Sequence, residues 1–145
     1  MTNVTSLFVK TLEVHQAVYQ HSGGWIGHRI LLGIPTLLLR TVGRRTGKER
    51  TSALTYGRTD GKYLVTASNG GSSRPPAWLL NVGAQPECAI QVGRRTRKAL
   101  ARTVLPGDTD YARYWDIVNS ANRGQYRAYQ EKTKRPIAIV ELTPR

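Results

Sequence analysis

The sequence predicts an α+β protein, mainly β: an antiparallel barrel of about six strands with peripheral helices. Three observations carry that expectation. Short β-prone runs are joined by turn signals, above all Asp60-Gly61 and a second turn at Gly93. Helical stretches fall at the start, after a glycine-serine loop and before the last β-prone run. No low-complexity linker divides the 145 residues, a length that fits one domain with a core of its own.

Residues 4–20 repeat Val4, Leu7, Thr11, Val14 and Val18 at helical spacing, so an amphipathic helix is expected. It either lies on the core or offers a surface to a membrane or a lipophilic substrate. Residues 21–33 carry Gly23, Gly24, Gly27 and Gly33 and read as a loop. The apolar run over 34–42 is the first strand; a basic turn leads to the second over 51–57. Asp60-Gly61 turns into the third at 63–67, because that pair tolerates positive φ at both turn positions. The loop 68–73 and Pro75-Pro76 then lead into a helix from Ala77, with Ser73 as its expected N-cap. A second hairpin, 89–92 with 98–104, turns at Gly93. Asp108 is the expected cap of a helix that sets Tyr111, Trp115 and Val118 along one side. A short helix over 125–132 and a closing strand over 136–142 complete the chain. Val42-Gly43-Arg44-Arg45-Thr46 recurs as Val92-Gly93-Arg94-Arg95-Thr96, but the flanks differ. Both copies read as basic hairpin turns rather than as a duplicated unit.

Lys and Arg number 22 against 9 Asp and Glu, a net charge of +13. Such a field attracts nucleic acid, an acidic membrane face or a polyanionic cofactor. The one cysteine, Cys88, excludes a disulfide framework within the chain and a cysteine-rich metal site. It reads as a small core residue of a cytoplasmic protein. No apolar run approaches the ~20 residues of a membrane-spanning helix, and the start lacks a secretory pattern.

Several chemistries are set aside on spacing. Gly43-Arg44-Arg45-Thr46-Gly47-Lys48-Glu49 has three residues between its glycines, not the four of a P-loop, and Glu49 stands where that motif needs Ser or Thr. His15, His21 and His28 have no metal-ligand spacing, so no metal is expected. Ser68 lies in no nucleophile elbow. Scarce acidic residues argue against paired-carboxylate hydrolysis.

Three segments remain. Arg40, Arg44, Arg45, Lys48 and Arg50 surround a glycine-containing turn, and guanidinium groups match phosphate and carboxylate oxygens. The turn is either an anion site or a solvated basic bend. Ala67-Ser68-Asn69-Gly70-Gly71 precedes Trp78-Leu79-Leu80-Asn81, and a small-residue loop beside an aromatic ring and an amide suits a flat ring lying on backbone. Tyr126 and Tyr129 share a helical face, either as proton donors or as rings packed over a barrel mouth.

Four ordered stretches carry a resemblance: Leu37 to Thr51 with its Arg40-Thr41-Val42-Gly43-Arg44-Arg45-Thr46-Gly47-Lys48-Glu49-Arg50 core, Thr66-Ala67-Ser68-Asn69-Gly70-Gly71, Pro76-Ala77-Trp78-Leu79-Leu80-Asn81, and Tyr126-Arg127-Ala128-Tyr129-Gln130-Glu131-Lys132-Thr133. From about Val14 onward the chain resembles the deazaflavin-dependent nitroreductase family, reductases that use reduced coenzyme F420 on a split β-barrel like that of FMN-binding proteins. The resemblance implies that 34–145 is the barrel core and 1–33 the variable part. It implies that Arg44, Arg45, Thr46, Arg50 and Thr51 grip the cofactor's phosphate and polyglutamate tail. It further implies that Thr66, Ala67, Ser68, Asn69, Gly70 and Gly71, with Ala77, Trp78, Leu79, Leu80 and Asn81, line the deazaflavin. Tyr126, Tyr129 and Ser68 are then the residues expected at the reacting centre. The chain departs from the family at Asn69, where some members have Lys, at Ala53, where Pro is frequent, and at Pro136.

The expected activity is therefore hydride transfer from reduced coenzyme F420 to a small hydrophobic electron acceptor: a quinone, a nitroaromatic or an activated enone or lactone. A cytoplasmic monomer or homodimer is expected, with no nucleic-acid partner and with membrane contact only through the first helix. Two other readings are weighed. A nucleic-acid-binding barrel would need exposed aromatic-basic alternation, which the sequence lacks. A split barrel holding FMN or haem would be coloured when purified.

Overall fold

The computed structural model describes residues 34–145. The expected helix over 4–20, the loop 21–33 and His15, His21 and His28 lie outside the described residues. Six strands form, β1 (Thr36–Val42), β2 (Glu49–Thr59), β3 (Lys62–Thr66), β4 (Glu87–Val92), β5 (Arg95–Val104) and β6 (Ile139–Pro144). They close into a barrel in the order β1-β2-β3-β6-β5-β4, every pair antiparallel. Three helices accompany them, α1 (Ala77–Ala84), α2 (Tyr111–Ala121) and α3 (Gln125–Glu131), with a 3₁₀ turn at Asn69–Gly71.

Side chains alternate across the sheet with period two. Leu37 and Leu39 on β1, Tyr63 and Val65 on β3, Ile90 on β4, Ala99 on β5, and Val140 and Leu142 on β6 fill the interior. Trp78 and Val82 of α1 join that cluster, so α1 plugs one barrel end. A second cluster lies outside the sheet, where Leu64, Val104 and Ile139 meet Tyr114 and Val118 of α2 and Tyr126 of α3. Gly57 lets α2 come this close: a Cβ there would lie 2.8 Å from Ile117 Cγ2.

The local turn chemistry follows expectation at both hairpins. Asp60 and Gly61 take φ of 51° and 75°, and Gly93 takes 62°. Val92 pairs with Arg95, so β5 starts three residues before the expected Lys98. β2 is also longer than expected, because all seven residues of β1 find partners on it from Glu49 to Thr55. The closing strand starts at Ile139 rather than Pro136, since a proline nitrogen donates nothing to a ladder.

Two expected caps are corrected. The residue preceding α1 is Pro76, in extended backbone with ψ 149°, and Ser73 lies three residues earlier. Proline pushes its predecessor out of helical backbone, so Pro75-Pro76 delays the start that Ser73 signals. Asp108 does not cap α2, which is preceded by Asp110. Asp108 closes the turn before it, accepting from the Asp110 N–H at 2.9 Å, and pairs with Arg102 at 3.0 Å. Cys88 is half-buried, donates to the Ala99 carbonyl at 3.5 Å, and burial pushes its thiol up to about 11. It is the small packing residue expected of it.

No helix among the described residues is long and apolar enough to cross a membrane.

Candidate functional site

The antiparallel order brings the 43–48 turn, the 67–76 loop and the start of α1 to one end of the barrel. The Asp60-Gly61 and Gly93-Arg94 turns lie at the other end. A cleft of about 500 Å³ opens at the first end. One wall is the basic turn, with Gly43, Arg44, Arg45, Thr46, Arg50 and Ser52. The facing wall holds Asn69, Arg74, Pro75, Pro76, Ala77, Trp78 and Asn81. The volume is that of a small-molecule site.

The basic turn is built rather than loose. Gly43 N–H donates to Lys48 O at 2.7 Å and Gly47 N–H to Gly43 O at 2.8 Å. A Cβ on Gly43 would stand 3.0 Å from Thr46 Oγ1 and 3.2 Å from Lys48 O, so only glycine fits there without displacement. The Thr46 hydroxyl in turn accepts from Lys48 N–H at 3.2 Å. Asn81 reaches across from α1: its Oδ1 accepts from Arg44 N–H at 3.2 Å and from Arg44 Nη1 at 3.1 Å, and its Nδ2 donates to Thr41 Oγ1 at 3.4 Å. Asn81 is 3% exposed, so these bonds fix Arg44 from a buried anchor.

The lining of the cleft is cationic. Arg44, Arg45, Arg50 and Arg74 line the cleft, and no carboxylate lines it among the described residues. Asp60, Asp108, Asp110, Asp116 and Glu141 are instead engaged around α2 by Lys62, Arg102, Arg113 and Arg127. Glu141 is the centre of that network. Hydrogen bonding to Arg102 overcomes its burial and, with the Tyr114 hydroxyl at 2.5 Å, holds its carboxyl down to about 2.

The glycine loop is left-handed over consecutive residues, with φ of 46° at Asn69, 65° at Gly70 and 86° at Gly71. Its Asn69 amide donates to Arg74 O at 2.9 Å, which shapes the approach of Arg74 to the cleft. Behind the loop, α3 packs so tightly that a Cβ on Gly71 would lie 2.8 Å from Tyr129 O.

Of the residues expected from sequence, Arg44, Arg45, Thr46, Arg50, Asn69, Ala77, Trp78 and Asn81 converge on the cleft. Ser68, Gly70 and Gly71 form the loop beside it. Thr51 faces outward opposite Arg40, and Thr66 outward opposite Ile139. Ala67 is fully buried, Leu79 packs on the interior cluster and Leu80 is exposed. Tyr126 is 7% exposed within the outer cluster, and the Tyr129 ring lies 6.4 Å from it; neither lines the cleft, and their helix α3 packs on the glycine loop at Gly71. Sequence reasoning missed Ser52, Arg74, Pro75 and Arg135. Ser52 was readable from strand alternation, being two residues from Arg50 on the same face. Arg74 and Arg135 carried no local signal.

A polyanion fits this donor set. Four guanidinium groups in one cleft, free of lining acids, match an elongated group bearing phosphate and carboxylates, and the Pro75-Pro76-Ala77-Trp78 flank matches an apolar ring.

Comparisons with known proteins agree with this chemistry. The family model described as F420H(2)-dependent quinone reductase matches residues 11–144. An F420H(2)-dependent quinone reductase of Mycobacterium tuberculosis is 46% identical over 137 residues, covering 94% of this chain and 92% of that protein. Among solved structures, an F420-H2 dependent reductase, FDR-A, superposes with a TM-score of 0.67 at 31% identity, covering 74% of this chain and 93% of that one. A domain-swapped dimer matches with the same TM-score of 0.67 at 28% identity, over 83% of this chain and 98% of that one.

Proposed function

The chain belongs to the F420H(2)-dependent quinone reductase family, and from that premise we propose that its cleft holds reduced coenzyme F420 and passes hydride to a quinone. The observation that carries this reading is the lining of the cleft: Arg44, Arg45, Arg50 and Arg74, with no carboxylate among the described lining residues. When bound, the reduced deazaflavin supplies a hydride, and a proton completes the quinol.

The work of the chain is binding, orientation and proton supply. Arg44, Arg45 and Arg50 hold the phosphate and the carboxylate tail, Arg44 preset by Asn81. Arg74 adds a cation from the facing wall and stands in for the charge that Asn69 lacks. Pro75, Pro76, Ala77 and Trp78 offer the apolar flank to the ring system. Presetting matters, because a side chain already in place loses less entropy on binding. In this reading the proton comes from a hydroxyl at the edge of the cleft, Ser68 at the start of the glycine loop or Tyr126 and Tyr129 on the helix packed against that loop. The lipophilic acceptor is a quinone in this reading, and the chain works as a monomer or homodimer.

The test is a fluorescence titration with oxidised coenzyme F420, followed by turnover of the reduced cofactor with a water-soluble naphthoquinone. Micromolar association in modest salt is expected, weakened roughly 10- to 100-fold by Arg44→Ala, since a charge-assisted hydrogen bond contributes ~1.5–3 kcal/mol. Failure of the cofactor to associate with the unaltered protein overturns the proposal.

A further inference from the structure

Arg135 lies after α3, in no element, and no motif marks it. Its guanidinium donates to three carbonyls of the glycine loop: Nη1 to Ala67 O at 3.0 Å, Nη2 to Ser68 O at 3.0 Å, and Nη2 and Nε to Ser72 O at 2.9 and 3.3 Å. These bonds bracket the left-handed residues Asn69 to Gly71 from both sides and join residues more than 60 positions apart. The charge is met by carbonyl oxygens rather than by a carboxylate. Burial lowers its pKa from the ordinary arginine value, a sign that the group is partly withdrawn from water.

Arg135 is itself held. Gln130 Nε2 donates to the Arg135 carbonyl at 2.9 Å, while Gln130 Oε1 accepts from Ile137 N–H at 3.0 Å. Tyr111 donates to Ile137 O at 2.6 Å, tying the same turn to α2. The guanidinium thus projects from a braced turn.

Asn69, Gly70 and Gly71 take αL backbone readily, and two bonds inside the loop, Gly71 N–H to Ser68 O at 2.9 Å and Ser72 N–H to Asn69 O at 3.1 Å, close the turn. Those bonds shape the turn but do not fix its tilt against the barrel, and side-chain bonds from Arg135 tie its carbonyls to a distant part of the chain. We propose that Arg135 is a positioning residue for the cofactor cleft: by drawing the carbonyls of Ala67, Ser68 and Ser72 to its own side, it sets the loop so that Asn69 faces the cleft and Arg74 is directed into it. This rests on the cofactor reading above. Gly71 completes the clamp, because its missing Cβ lets Tyr129 O press on the loop at van der Waals range.

The test compares unaltered protein, Arg135→Ala and Arg135→Lys in two measurements. The first is hydrogen exchange of the loop amides at 69–72 without cofactor. Arg135→Ala is expected to speed exchange there, with the barrel strands unchanged. The second is binding and kinetics. Arg135→Ala is expected to raise the Kd of coenzyme F420 and the KM for its reduced form at least roughly ten-fold, with the KM for the naphthoquinone moving less than about two-fold. Arg135→Lys should fall between, and added guanidinium ion should restore binding to the alanine variant but not improve the unaltered protein. Unchanged exchange at 69–72, or an unchanged cofactor Kd in a folded alanine variant, overturns the inference. So does an equal rise in both KM values without guanidinium rescue, which marks a purely structural residue. Should the alanine variant fail to fold, the lysine variant decides by the same Kd and exchange criteria. Failure of the unaltered protein to bind coenzyme F420 overturns the cofactor reading instead, and the exchange result then still judges the clamp.

Discussion

One carboxylate and one phenol show how much a single side chain decides. Glu141 is buried on the outer sheet face with its carboxyl held at about 2 by Arg102, against burial, with further help from Tyr114 and Lys62. A carboxyl lowered in the folded state stabilises it above the ordinary carboxylate range, near 4.5, and that contribution disappears as pH falls toward 2. Thermal unfolding should therefore drop between those two pH values, and Glu141→Gln should flatten that drop while costing about 3 kcal/mol at neutral pH. An unaltered acid limb in the glutamine variant would refute the assignment. Tyr126 is the second case. As a proton donor its hydroxyl is worth roughly 10²-fold or more in kcat, so Tyr126→Phe should lower kcat by that order and leave the KM for reduced cofactor near its original value. A kcat equal to that of the unaltered enzyme assigns the ring to packing alone. At this scale the sequence was partly legible. Arg44, Arg45 and Arg50 stood out because they cluster in one turn. Arg74 and Arg135 did not: Arg74 joins the site only when folding sets its loop across the cleft from the basic turn, and the carbonyls that Arg135 holds lie more than 60 residues away.

Elements were legible where their partners are neighbours in sequence. The hairpins of β1 with β2, β2 with β3 and β4 with β5 were announced by turns whose residues accept the required backbone. The same five letters, Val-Gly-Arg-Arg-Thr, nonetheless became different objects. Gly43 is required by close approach of Thr46 and Lys48, within a turn held by backbone hydrogen bonds, whereas Gly93 is required by its φ of 62° in open space, and the Arg and Thr that follow belong to β5. Composition cannot separate these, since the distinction lies in how far the flanking strands pair. Helix docking was equally hidden. Gly57 read as an ordinary strand residue, yet it is the seat of α2. Gly57→Ala should cost about 1–3 kcal/mol by crowding Ile117, and Ile117→Ala in the same chain should recover part of that loss, a coupling measurable by a double-mutant cycle in denaturant. Purely additive effects would show that α2 sits elsewhere in solution.

At the scale of the whole molecule, barrel closure was the least legible feature. It depends on β1 with β4, β3 with β6 and β5 with β6, pairings with no shared turn. The resemblance supplied what periodicity could not, because a family fixes topology that local signals leave open. The cationic lining of the cleft has a consequence for kinetics. Paired acids gather around α2, while four guanidinium groups and no carboxylate line the cleft among the described residues. A cleft lined by cations focuses a positive field at its mouth and draws an approaching anion in before contact. Stopped-flow association with coenzyme F420 should approach the steered range of about 10⁸ M⁻¹s⁻¹ at low ionic strength and fall steeply as salt is added, with the dissociation rate changing far less. A flat association rate across the salt series would mean that encounter is unguided. Guidance of this kind lets a scarce carrier find the mouth of its enzyme in a crowded solution with fewer failed encounters.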